Sequence, residues 1–88
     1  MSSDDQLIAL LHVVQSGDES GDLVDNAIIA KRLKWDLEAV AACLQDAKDR
    51  SLVWGRRNGD KPAPWFTELE ITVQGRRMLR TGEAGEGA

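Results

Sequence analysis

The chain has very few of the residues from which catalytic and metal sites are built. Its 88 residues include one cysteine, one histidine and no tyrosine. The single cysteine, Cys43, excludes an internal disulfide and a zinc site made of several cysteines, and it is typical of a reducing compartment. The sequence contains no Ser-His-Asp arrangement, no metal-ligand spacing and no glycine-rich phosphate loop after a strand. We therefore expect a protein that is not an enzyme and that uses no metal or cofactor.

Long apolar runs and a basic amino-terminal signal are also absent from the sequence. No run approaches the roughly 20 residues that a transmembrane helix needs. The first six residues, MSSDDQ, carry acids where a signal peptide carries basic residues. These features predict a soluble, cytoplasmic protein with no membrane partner. A content of 42% apolar and 30% charged residues is typical of one globular domain with a modest core.

Charge is distributed unevenly along the chain. Residues 1–30 hold six acids and no lysine or arginine, whereas residues 31–80 hold all 11 basic residues and seven acids. The net charge of −4 by itself argues against a nucleic-acid partner. The second region, however, has 11 positive and seven negative charges, a local balance of +4, and is therefore able to meet phosphate groups.

Hydrophobic spacing and capping residues predict four helices and one hairpin within a domain that spans residues 4–80. Gly17 is expected to stop the first helix, and the glycine-rich acidic tail at 81–88 is expected to be disordered. The predicted elements are a helix over 4–16; a second helix capped by Asp25 or Asn26 and ending near Leu33; a third helix from Leu37 to about Arg50, capped by Asp36; strands over Leu52–Arg57 and Trp65–Ile71; and a last helix over 73–80, capped by Thr72.

The segment IIAKRLKWDLEAVAACLQDAKDRSLV, residues 28–53, resembles without a gap the core of bacterial regulators of the MarR and PadR kind. Further along, Thr72 and Gly75-Arg76 match the Leu-Thr-x-x-Gly-Arg pattern that commonly leads from the wing of these proteins into the next helix. The resemblance covers residues 5–80. It implies a mainly α fold with a small β-hairpin (α+β), namely a winged helix–turn–helix with three helices, a two-stranded wing and a short C-terminal helix. It also implies a transcriptional regulator that binds double-stranded DNA, and related regulators bind as homodimers.

The resemblance places the DNA-facing surface on the third helix and the wing. Glu38 is able to accept a hydrogen bond from a cytosine amino group, and Gln45 is able to form hydrogen bonds with adenine. Because the acidic residues of this helix repel phosphates, only weak recognition of bases is expected. Arginines near Asn58-Gly59 at the wing tip are expected to contact the minor groove or the backbone; the alternative is that they are solvated or paired with Glu68 and Glu70. The expected DNA-binding residues are Lys34, Glu38, Ala42, Gln45, Arg56, Arg57 and Lys61.

Aromatic residues favour an alternative function, a protein-interaction module that docks a partner through the third helix and the hairpin. Trp35 and Trp54 are expected in the core. Trp65 and Phe66 are candidate interface residues because exposed aromatic side chains often anchor protein complexes; the alternative for Trp65 is a position in the core. Cys43 is either a redox switch or a small buried thiol, and the second interpretation is favoured. A homodimer would use the first or the last helix.

Overall fold

Four helices and one two-stranded hairpin make up the described part of the chain. The computed structural model describes residues 3–57 and 65–81, with side chains from residue 5 onward. The elements are α1 (Ser3–Ser20), α2 (Asn26–Leu33), α3 (Leu37–Asp49), β1 (Val53–Arg57), β2 (Phe66–Ile71) and α4 (Val73–Thr81). The two strands pair antiparallel. The predicted α+β order is confirmed, and no described helix is both long and apolar enough to cross a membrane.

The hydrophobic core lies where α1 meets the other helices and the hairpin. Leu10, Leu11 and Val14 of α1 are fully buried, together with Ile29 of α2 and Leu44 of α3. Each such side chain contributes about 1.5–3 kcal/mol relative to an exposed position. The helical spacing of apolar residues in α1 therefore fixes the face against which α2, α3 and β2 are packed.

Gly17 lies inside α1 and not at its end, so the predicted stop at this residue is wrong. A Cβ at position 17 would lie only 2.2 Å from Cγ2 of buried Val24, which makes close approach the reason for the glycine. The helix continues to Ser20. Gly21 follows with a φ of +78°, a left-handed conformation that glycine adopts readily at helix ends.

The turn between α2 and α3 follows the predicted caps, with one difference at Asp36. Asp25 caps α2, since its Oδ1 accepts a hydrogen bond from the Ile28 N–H at 3.0 Å. Lys34 ends the helix with φ 59° and ψ 43°, where a glycine would avoid the left-handed strain. Asp36 occupies the N-cap position of α3 without a side-chain capping bond. Leu37, the first residue of α3, is 48% exposed, because the buried face of the helix begins at Val40.

The outer edge of β2 is fastened to the region between α1 and α2. Three main-chain N–H groups of β2 donate to acceptors there: Phe66 to Oδ1 of Asn26 at 2.9 Å, Leu69 to the carbonyl of Val24 at 3.0 Å, and Ile71 to Oδ2 of Asp18 at 2.8 Å. These bonds fix the hairpin relative to the helices.

The passage from β2 into α4 confirms the predicted cap. The Gly75 N–H donates to Oγ1 of Thr72 at 3.0 Å, and the same hydroxyl donates to the carbonyl of Ser51 at 2.6 Å. The helix runs one residue beyond the predicted boundary, to Thr81. The prediction of a disordered tail otherwise concerns residues 82–88, which lie outside the described part.

Candidate nucleic-acid interface

The outward face of α3 carries small and acidic side chains. Glu38 and Ala42, two of the predicted DNA-facing residues, are exposed, and Gln45 is half-buried on the same helix. Ala39 is exposed as well. The helix therefore offers few hydrogen-bond donors to base edges.

Polar groups near the end of α3 are bonded to one another. Nε2 of Gln45 donates to Oδ1 of Asp49 at 3.0 Å, and Nε of Arg50 lies 3.3 Å from Oδ1 of Asp46. The amide of Gln45 must give up its bond to Asp49 before that donor can meet adenine. This pairing reduces the capacity of α3 to read bases.

The wing carries exposed positive charge, in contrast to the acidic face of α3. Arg56 and Arg57 are consecutive and exposed in β1. Nε of Arg56 lies 3.4 Å from Oε2 of Glu68, with 81% and 51% of the two side chains exposed. A pair this open to water is worth roughly 1 kcal/mol or less, so a phosphate can compete with Glu68 for the guanidinium. Lys34, also exposed, lies in the turn between α2 and α3, and Lys61 with its predicted wing tip falls outside the described residues.

The exposure of two aromatic residues is the reverse of the prediction. Trp54, expected in the core, is 65% exposed, whereas Phe66, expected at an interface, is 3% exposed. In β1 the buried side chain is Val53, so Trp54 faces outward because strand side chains alternate. Phe66 faces inward from the start of β2. Trp35 packs at the edge of the core, and Trp65 is half-buried.

Cys43 lies half-buried on α3 as a free thiol. Burial, and secondarily the charge of Asp46, raise the pKa of the thiol from 9.0 to about 11. Because the thiolate is the reactive species, this environment favours the structural interpretation of Cys43 over the redox one.

We expect Cys43 to be alkylated by iodoacetamide at pH 8 about 100-fold more slowly in the folded protein than in urea. The pKa difference of about two units, from 9.0 to about 11, lowers the thiolate fraction by about this factor. The reaction is followed by mass spectrometry, with a cysteine-containing model peptide as the reference. Equal rates for folded and unfolded protein would contradict the shifted pKa.

A groove that the sequence did not predict lies between α1 and α4. It has a volume of about 440 Å³ and is lined by His12, Gln15, Val73, Arg76, Leu79 and Arg80. Nη2 of Arg76 lies 3.9 Å from Oδ2 of Asp18. Only the contact between two distant helices creates this groove. Within the described residues, no cluster of three histidine, cysteine or acidic side chains is placed to hold a metal ion.

No protein-family model matches the sequence, and no curated protein matches it. Solved structures of the following three proteins are similar to this chain. FabT of Streptococcus pneumoniae, in complex with DNA, has a TM-score of 0.65 and 17% identity over 88% of this chain and 50% of its own. ZitR of Lactococcus lactis has a TM-score of 0.57 and 19% identity over 84% of this chain and 48% of its own. The adhesin competence repressor AdcR of Streptococcus pyogenes has a TM-score of 0.56 and 15% identity over 92% of this chain and 53% of its own. The chain thus spans about half the length of these proteins, and the likeness establishes its fold as a winged helix–turn–helix.

Proposed function

We propose that the chain is a DNA-binding winged-helix protein, a cytoplasmic transcriptional regulator of the bacterial MarR-like or PadR-like kind. The observation that carries the proposal is the pair of exposed arginines, Arg56 and Arg57, on the strand that leads to the wing tip. The occurrence of the same fold in FabT, whose structure includes DNA, supports a DNA partner.

Phosphate contacts by the wing provide most of the binding free energy in this proposal. The guanidinium of Arg56 exchanges Glu68 for a phosphate, because the exposed ion pair with Glu68 is weak and a phosphate accepts a bidentate pair of hydrogen bonds from arginine. Lys34 and Lys61 add charge from the helical turn and the wing loop. Such contacts position a protein on a duplex but carry no sequence information directly.

Base reading by α3 is weak in the same proposal. Glu38 accepts from a cytosine amino group, Ala42 offers a methyl group, and Gln45 is bonded within the helix. The neighbouring carboxylates of Asp46 and Asp49 repel the duplex backbone. Affinity is therefore dominated by salt-sensitive contacts.

The Arg56→Ala/Arg57→Ala variant should bind duplex DNA at least about tenfold more weakly at low salt, because two phosphate contacts are lost. The slope of log affinity against log salt concentration should fall by about two. Fluorescence anisotropy with a labelled duplex measures both quantities.

The matched control for this experiment is Arg77→Ala/Arg80→Ala, which removes the same two charges from α4. Retention of binding by the control, together with loss in the wing variant, assigns the contact to the wing. Equal losses in both variants, or no duplex binding by the wild-type protein at low ionic strength, would refute the proposal.

A second candidate function is a protein-interaction module. The exposed apolar side chain of Leu37 at the start of α3, next to Glu38 and Ala39, favours this candidate, and half-buried Trp65 borders the hairpin. It requires a partner protein whose complex is lost in Trp65→Ala while the domain stays folded. Both candidates are compatible with a homodimer formed through α1 or α4, for which sedimentation equilibrium is the test.

A further inference from the structure

Trp54 is the largest apolar side chain that the described residues leave exposed. It projects from the outer face of β1 with 65% of its surface accessible. Nζ of Lys48 lies 5.3 Å from the centroid of its ring, a distance at which a cation and an aromatic face attract each other. The ring therefore lies outside the core, and Lys48 is in contact range of it.

One cation contacts the exposed ring, and a second follows it in β1. Arg56 follows two residues later in β1, beyond an irregularity in the hairpin register, and is exposed like Trp54. Lys48 covers part of the ring from α3. The carboxylate of Glu68 lies against Arg56, whereas Glu70 stands directly across the hairpin from Trp54. Two cations, Lys48 and Arg56, thus accompany the exposed ring, together with the two carboxylates.

We propose that the outer face of the wing, defined here as Trp54 with Lys48 and Arg56, is a stacking platform for an unpaired base of a nucleic-acid strand. The inference rests on the proposed DNA-binding function and extends it from the duplex to a nucleotide whose base is free to stack. The base lies on the open face of the Trp54 ring, and Lys48 and Arg56 contact the flanking phosphates. Proteins that bind single strands commonly combine aromatic rings with cations in this way.

Glu70 distinguishes this ligand from a peptide partner. A basic peptide stacking on Trp54 would pair with the carboxylate of Glu70, and a neutral side chain at position 70 would weaken its binding. A nucleotide is repelled by the same carboxylate. Glu70→Gln should therefore strengthen the binding of a nucleotide strand and leave the fold unchanged, because the side chain is exposed.

The experiment compares two labelled probes of about 15 units, oligothymidylate and an abasic deoxyribose-phosphate chain of the same length and charge. The full chain should bind oligothymidylate about tenfold more tightly than the abasic chain. Trp54→Ala should remove this preference, Trp54→Phe should keep most of it, and Glu70→Gln should raise the affinity for oligothymidylate. Thermal melting checks that the variants remain folded.

The outcomes separate this inference from the proposed function. Equal affinity of the wild-type protein for the two probes, or a preference that survives in Trp54→Ala, overturns the stacking platform even if duplex binding is normal. A weaker affinity of Glu70→Gln for oligothymidylate overturns it as well. Loss of the preference in Trp54→Ala with duplex binding retained supports it. Absence of binding to every probe, duplex included, overturns both.

Discussion

Replacing Gly75 with alanine should destabilise the protein by about 3 kcal/mol or more and lower its melting temperature by about 10–20 °C. A Cβ at this position of α4 would lie 2.3 Å from the carbonyl oxygen of Leu52 and 2.7 Å from Cγ1 of Ile71. The first of these atoms belongs to the main chain between α3 and β1, so relief of the clash requires α4 to move away from the hairpin.

Thermal unfolding followed by circular dichroism measures this effect. Gln74→Ala is the matched control, because Gln74 is the exposed neighbour on the same helix and alanine is a good helix former. The control should stay within about 0.5 kcal/mol of the wild type. A melting temperature of Gly75→Ala equal to that of Gln74→Ala would show that α4 does not need the close approach.

Asn26→Ala should cost about 2–3 kcal/mol, the second large effect that we expect. Asn26 is fully buried, and its Oδ1 accepts the main-chain N–H of Phe66. Alanine leaves that N–H without an acceptor in a place that water does not reach, and each buried unsatisfied group costs about 1–3 kcal/mol. The cavity left by the amide adds to the loss.

Denaturant unfolding gives the total effect of Asn26→Ala, and hydrogen exchange of the Phe66 amide tests its cause. Asp25→Ala serves as the control, since it removes a helix cap from the adjacent residue at a cost of about 1 kcal/mol and leaves the bond to Phe66 in place. The Phe66 amide should exchange faster in Asn26→Ala than global unfolding explains. Exchange that follows global stability in both variants would contradict the role of Asn26.

Local signals in the sequence were sufficient to predict most of the fold. Asp25 and Thr72 cap the helices that they were expected to cap, because capping depends on residues within three positions. The alternation of Leu69 and Ile71 with acidic residues placed β2 correctly. The order of helices and strands followed from these local rules.

Features that depend on distant contacts were not predictable. The sequence predicted a helix end at Gly17 because it does not reveal the close approach of Val24 to this residue. The run Leu52-Val53-Trp54 is apolar throughout, so the sequence did not reveal which of its side chains face inward. The burial of Phe66 accompanies a bond to Asn26, 40 residues earlier. In the candidate site, the exposure of Arg56 and Arg57 was predicted from the sequence, whereas the hydrogen bond of Gln45 to Asp49 was not.

The three bonds that fasten β2 to Asp18, Val24 and Asn26 have a consequence for any duplex that the protein holds. A hairpin tied along its edge cannot swing to follow a groove, so the mismatch between protein and DNA is absorbed by bending or twisting of the DNA itself. The energy of that deformation depends on base sequence, with pyrimidine–purine steps the easiest to distort. On the proposed function, site preference then arises from the flexibility of the DNA, even though α3 offers little to its bases.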